Sequence, residues 1–186
     1  MQTTANSSSN YRILLLPGWL NSSASHWQSR WEAIYGDQRV EQDDWLWPKR
    51  GDWMARLEEV ILDDAKPAVL IAHSLGCHLV AEWAAHSKHT ALVRAAVLVA
   101  FPDIERDDIP ANVQGWRPIS RNPLPFDSMA VVSDDDPYCD PKRAEEIVAA
   151  WGCESFHIGR RGHINGDSDL GDWTQGRVLL QSLLDR

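Results

Sequence analysis

A chain of 186 residues, 44% hydrophobic and 24% charged, has the size and balance of one soluble globular domain with a sizeable core. Its net charge of −9 argues against nucleic acid or an anionic membrane as partner, since both call for basic patches. Apolar runs such as Ile13–Leu16 are far too short to span a bilayer.

The polar stretch Met1–Asn10 lacks the basic start and apolar run of a secretory signal. It reads as a flexible tail, residues 1–10, ahead of a single domain over 11–186. Arg12–Leu16 reads as a buried strand ended by Pro17 and Gly18. Ser25 and Gln28 have the spacing of a capping box, Trp27, Trp31 and Ile34 recur at helical spacing, and Gly36 is a helix stop. A short strand is expected around Arg39–Gln42. After a loop over 43–51, Asp52 is expected to cap a helix whose apolar face is Trp53, Leu57, Val60 and Ile61.

The run Ala68–Ala72 is apolar and β-prone, Ser74 follows in a turn, and a helix pattern covers 76–87. Ala95–Phe101 is another fully apolar strand. Residues 102–126 are loop-like and carry Pro102, Pro110, Pro118, Pro123 and Pro125. Met129–Ser133 is a strand, Asp140–Pro141 starts a helix as cap and N1 proline, and Ser155–Ile158 is a last strand. A loop with Gly159, Gly162 and His163 leads to a helix near 172–184. Continuous apolar strands alternating with helices imply a parallel sheet covered on both faces, a three-layer α/β/α sandwich. Most of the ten tryptophans fall at helical spacing and read as core.

The stretch Ala-His-Ser-Leu-Gly-Cys, 72–77, is G-x-S-x-G with alanine for the first glycine. Set between a buried strand and a helix, it is a strand–turn–helix elbow that holds Ser74 Oγ beside a helix N-terminus, as a nucleophilic serine requires. A serine needs a base. Of seven histidines, His163 alone lies in a glycine-flanked loop after the last strand, at the edge where ligands collect. The other six read as capping, packing or solvated residues, with a substrate contact open for His26. An acid must orient the base. Asp134, Asp135 and Asp136 all follow the fifth strand, and position alone does not choose among them. The backbone amide of Leu75 and that of Trp19, next to Gly18, are the expected oxyanion donors. Gly76 lets the helix approach the strand, and Cys77 reads as packing. Three cysteines at no zinc or disulfide spacing fit a reducing, cytoplasmic setting. No cofactor and no metal is implied.

The chain order Ser, acid, His resembles the α/β-hydrolase superfamily. More narrowly, Leu-Pro-Gly-Trp (16–19), His-Trp-Gln-Ser-Arg-Trp (26–31), Ala-His-Ser-Leu-Gly-Cys (72–77), Ser-Asp-Asp-Asp-Pro-Tyr (133–138) and Gly-His (162–163) resemble the small single-domain serine hydrolases grouped with retinoblastoma-binding protein 9. The resemblance implies Ser74 as nucleophile, His163 as base and Asp136, before its proline, as acid. It implies six strands in the order 2-1-3-4-5-6 without a large cap, hence a shallow, open site, with Trp116 either overhanging it or packed at a surface or edge. The implied activity is hydrolysis of small carboxylic esters, with thioesters or amides as variants. One such protein is named for protein binding, so a non-catalytic interaction or ligand-binding module is the alternative.

Overall fold

The computed structural model describes residues 10–186, so the tail expected over 1–10 lies almost wholly outside the described residues. The elements are β1 (Arg12–Leu16), α1 (Trp27–Tyr35), β2 (Gln38–Arg39), α2 (Arg50–Leu62), β3 (Ala68–His73), α3 (Leu75–His86), β4 (Val93–Val99), β5 (Asp127–Val132), α4 (Pro141–Trp151), β6 (Glu154–His157) and α5 (Thr174–Leu184). The six strands form one sheet in the order β2-β1-β3-β4-β5-β6, and every pairing is parallel. This is the predicted architecture. Strand order reverses between β1 and β3, which places a topological switch point at their carboxyl ends.

Period-two alternation divides the sheet's side chains between two cores. Leu14, Leu16, Leu70, Ala72, Ala96, Leu98, Ala130 and Val132 face one core with α2, α3 and α4. Leu15, Val69, Ile71, Ala95, Val97, Val99, Met129 and Val131 face the other with α1 and α5. The central strand β3 is buried along its whole length, because helices cover both of its faces. Six tryptophans, Trp27, Trp31, Trp53, Trp83, Trp116 and Trp151, are fully buried core residues. Among the described residues, no helix is long and apolar enough to cross a membrane.

Two helix starts differ from the expectation, and a third keeps its expected position without a side-chain cap bond. The cap of α1 is His26, whose Nδ1 accepts from the Gln28 amide, and not Ser25. Gln28 is fully buried. Its Nε2 donates to the carbonyls of Leu16 (3.3 Å) and Ile71 (3.0 Å), and its Oε1 accepts from Ser22. A side chain bridging β1 and β3 is not free to close a capping box. The cap position of α2 is Lys49, so Asp52 stands inside the first turn, where its charge still faces the positive helix end. Asp140 occupies the cap position of α4, but its side chain makes no cap hydrogen bond; the N1 proline presets the helical φ there.

Residues 102–126 hold a 3-10 turn, Ala111–Trp116, and no inserted cap domain. Trp116 is completely buried, donates its indole N–H to the Pro48 carbonyl at 2.8 Å and packs edge-on against Trp53. It therefore does not overhang the site, because burying the indole with its N–H satisfied is the more stable arrangement.

Candidate active site

Ser74 joins β3 to α3 with φ 56° and ψ −125°, a conformation costly for a residue with a Cβ. Its amide donates to the Val99 carbonyl at 2.9 Å and its carbonyl accepts from Cys77, so β4 and α3 hold the turn. Gly76 is required by contact. A Cβ there would stand 2.3 Å from the Leu16 carbonyl oxygen. Gly18 is tight as well, since its Cβ would come 2.7 Å from the Ser74 Cβ and 3.1 Å from its Oγ. The loop after β1 thus passes directly over the Ser74 side chain. Cys77 packs behind the turn, and burial pushes its thiol pKa well up, as expected of a packing residue.

His163 Nε2 lies 2.9 Å from Ser74 Oγ. Its Nδ1 lies 3.0 Å from each carboxylate oxygen of Asp136. The side chains of His163 and Asp136 are only 10% and 4% exposed, so water competes little for these bonds. Asp136 Oδ1 also accepts from the Tyr138 amide at 3.0 Å, and the Tyr138 ring meets the His163 ring edge-on.

The other two acids after β5 are occupied elsewhere. Asp135 Oδ1 accepts from the Gly162 amide at 2.8 Å and from Ser133 Oγ at 3.0 Å. The Gly162 N–H is the main reason that the Asp135 carboxyl sits below the usual carboxylate range. Asp134 pairs with His157. Asp135 therefore fastens the loop that carries His163, while Asp136 meets the imidazole itself.

Leu75 is the first residue of α3, with its N–H at the positive end of the helix. The Trp19 side chain donates Nε1 to the Leu46 carbonyl at 3.0 Å, and Asn112 donates to the same oxygen at 2.7 Å. These bonds tie the loop after β1 to the 102–126 segment. Ser74 and His163 open into a cleft of about 760 Å³ whose lining includes Trp19, Leu20, Ile104, Ile109 and Val113, and also Ser22, Asn165 and Asp167. The 102–113 stretch lines one side with Ile104, Ile109 and Val113 alongside the charged Asp103, Arg106 and Asp108, and the volume suits a small organic ligand. Among the described residues, no group of three or more His, Cys, Asp or Glu side chains could hold a metal ion.

Sequence reasoning missed two contributors. His73, read as a turn residue, is a buried end of β3 whose Nε2 meets the His163 carbonyl at 2.9 Å. Trp27, read as core, also donates to the Ile164 carbonyl at 2.8 Å. The available signal was a histidine ending a run that is otherwise wholly apolar, where a polar ring needs a partner. His26 borders the cleft but uses both ring nitrogens internally, which leaves only its ring edge for a ligand.

The chain is similar in sequence or fold to known proteins. A YdeN-like hydrolase from Pectobacterium atrosepticum is 26% identical, with a TM-score of 0.81 over 93% of this chain and 90% of that one. The ydeN gene product of B. subtilis is 15% identical, with a TM-score of 0.72 over 95% of this chain and 100% of its own. MenH from S. aureus is 10% identical, with a TM-score of 0.69 over 97% and 96%. The last two likenesses concern the fold alone. No curated protein matches the sequence. The pattern of the family described as serine hydrolase matches residues 13–182, so the chain belongs to the serine hydrolase family, on an α/β-hydrolase fold.

Proposed function

We propose that this protein hydrolyses small carboxylic esters through a Ser74–His163–Asp136 triad and a covalent acyl-enzyme. The observation that carries the reading is the unbroken contact from Ser74 Oγ through His163 to both oxygens of Asp136. With Nδ1–H donating to the carboxylate, Nε2 is left as the lone-pair atom facing the serine hydroxyl, the tautomer a base needs.

Ser74 Oγ attacks the ester carbonyl carbon as its proton moves to His163 Nε2. The carbonyl π electrons move onto oxygen, which the amides of Leu75 and Trp19 stabilise, each such donor being worth about 3 kcal/mol of barrier. The tetrahedral species collapses, His163 returns the proton to the departing alkoxide, and the alcohol leaves an acyl-Ser74. Water then attacks the acyl carbon, giving its proton to His163. Ser74 leaves with that proton and the carboxylic acid is released. Asp136 stays ionised and stabilises the imidazolium in both half-reactions.

The motif set quoted from residues 16–19, 26–31, 72–77, 133–138 and 162–163 supports placing the chain with the small single-domain hydrolases of retinoblastoma-binding protein 9. The apolar side chains of Ile104, Ile109 and Val113 in the same cleft as Ser74 favour an ester with one apolar group. A fluorophosphonate probe with a p-nitrophenyl ester series tests the reading. Ser74-dependent labelling and turnover are expected. A folded protein that neither labels nor turns over any ester would leave a non-catalytic binding module in its place.

A further inference from the structure

His163 is flanked by two residues in the left-handed region, Gly162 at φ 56° and Ile164 at φ 48°. That conformation is unfavourable for a β-branched side chain, and Ile164 is completely buried. Something must hold the backbone there. The carbonyl of His163 accepts from His73 Nε2 at 2.9 Å, and the next carbonyl, that of Ile164, accepts from Trp27 Nε1 at 2.8 Å. Two successive carbonyls of the strained turn are thus gripped by ring N–H donors from β3 and α1.

The protons on this chain of rings have one consistent arrangement. A carbonyl can only accept, so the proton of His73 is on Nε2 and its Nδ1 is a lone pair. That lone pair faces His26 Nε2 at 3.3 Å, which must then carry the His26 proton. His26 Nδ1 is left to accept, and it does, from the Gln28 amide at 3.1 Å. Any other tautomer, or a second proton on either ring, sets N–H against N–H or a lone pair against a carbonyl. Burial acts in the same direction. It lowers the pKa of His26 to about 3 and that of His73 well below the ordinary imidazole value. The direction Gln28 to His26 to His73 to the His163 carbonyl is therefore fixed by backbone groups at both ends.

We infer that His73 and Trp27 are positioning residues for His163, their ring N–H groups holding the turn that keeps its imidazole between Asp136 and Ser74, with His26 fixing the tautomer that lets His73 donate. The inference rests on the proposed role of His163 as base. It differs from ring packing in depending on a donor at one point rather than on volume.

Three variants test it, with melting temperature and near-ultraviolet circular dichroism used to verify the fold. His73→Leu keeps apolar bulk and removes the donor; kcat on a p-nitrophenyl ester should fall about 100-fold or more, the scale of a small misplacement of a catalytic group, with KM changed by less than about threefold. His73→Gln puts an amide N–H at the reach of Nε2 and should recover most of the loss. Trp27→Phe keeps a ring without the donor and should lower kcat about tenfold, again without a KM change. Proton NMR adds a readout independent of turnover: the downfield His163 Nδ1–H signal at Asp136 should weaken in His73→Leu and return in His73→Gln. Unchanged kcat in folded His73→Leu, or a His73→Gln no better than it, overturns the inference. Should His73→Leu fail to fold, Trp27→Phe decides by the same criterion. If the wild type turns over no ester, the function reading has failed, and the NMR signal still decides whether the rings position the imidazole.

Discussion

Ser74 and His163 are 89 residues apart in the chain and 2.9 Å apart in space. The contact joins the loops after β3 and β6, two strands with β4 and β5 between them in the sheet. In a parallel sheet all such loops emerge at one edge. The reach across two strands is made by the long loop after β6, which Asp135 fastens through Gly162 and which His73 and Trp27 hold from below.

Removal of either partner should abolish turnover without unfolding the protein. Ser74→Ala and His163→Ala are each expected to lower kcat by about 10⁴- to 10⁶-fold. The double variant should be little worse than either, because the two act as one unit. Steady-state ester hydrolysis with fluorophosphonate labelling measures this, and Ser74→Ala should not label.

The two neighbouring acids should separate by kind of effect. Asp136→Asn should cost about 10⁴-fold in kcat, since an amide favours the wrong imidazole tautomer. Asp135→Asn leaves that contact intact and weakens the bonds to Gly162 and Ser133, so its main effect should be a lower melting temperature and a kcat loss of no more than about tenfold. The reverse ranking would reassign the acid.

Two glycines should differ in the same manner. Gly76→Ala sets a Cβ 2.3 Å from a backbone oxygen of Leu16, and neither backbone can move without disturbing the sheet. Its overpacking penalty is expected at the upper end of about 1–3 kcal/mol, or beyond, seen as a lower urea midpoint. Gly18→Ala meets the Ser74 side chain, and its main effect should be on kcat.

Acid should destabilise the fold before any carboxylate effect sets in. His26, His73 and His78 are buried, and burial lowers all three pKa values, to about 3 for His26, to about 4 for His78 and well below the ordinary value for His73. Between pH 6.5 and the folded values, the unfolded chain binds the protons that the folded chain refuses. Stability is therefore full above about pH 6.5 and falls as pH drops through that window, on the order of 1 kcal/mol per pH unit for each histidine. Melting temperatures from pH 7 to pH 4.5 should show this. His78→Gln should reduce the slope by roughly one proton, because it removes one refused site.

The strand Ala68–Ala72, the turn at Ser74 and the helix after it were legible in the sequence because hydrophobic period and turn chemistry are local. The parallel, layered sheet followed from the alternation of strands and helices, its order was implied by the resemblance to the α/β-hydrolases, and the candidate nucleophile and base followed from their places in loops after strands. Element ends were less legible. The capping-box spacing of Ser25 and Gln28 is a local rule that was overridden when Gln28 was recruited to bridge Leu16 and Ile71. Trp116 could not be placed because its partner, Pro48, is 68 residues away.

The sequence by itself determined the layered α/β framework and the residue types able to form a triad, since both depend on periodicity and side-chain chemistry within short windows. Only the tertiary structure decided that Asp136, and not Asp135, contacts the His163 ring, which residues line the cleft, and that His73 and Trp27 hold the His163 loop. Those choices rest on directional bonds between distant segments.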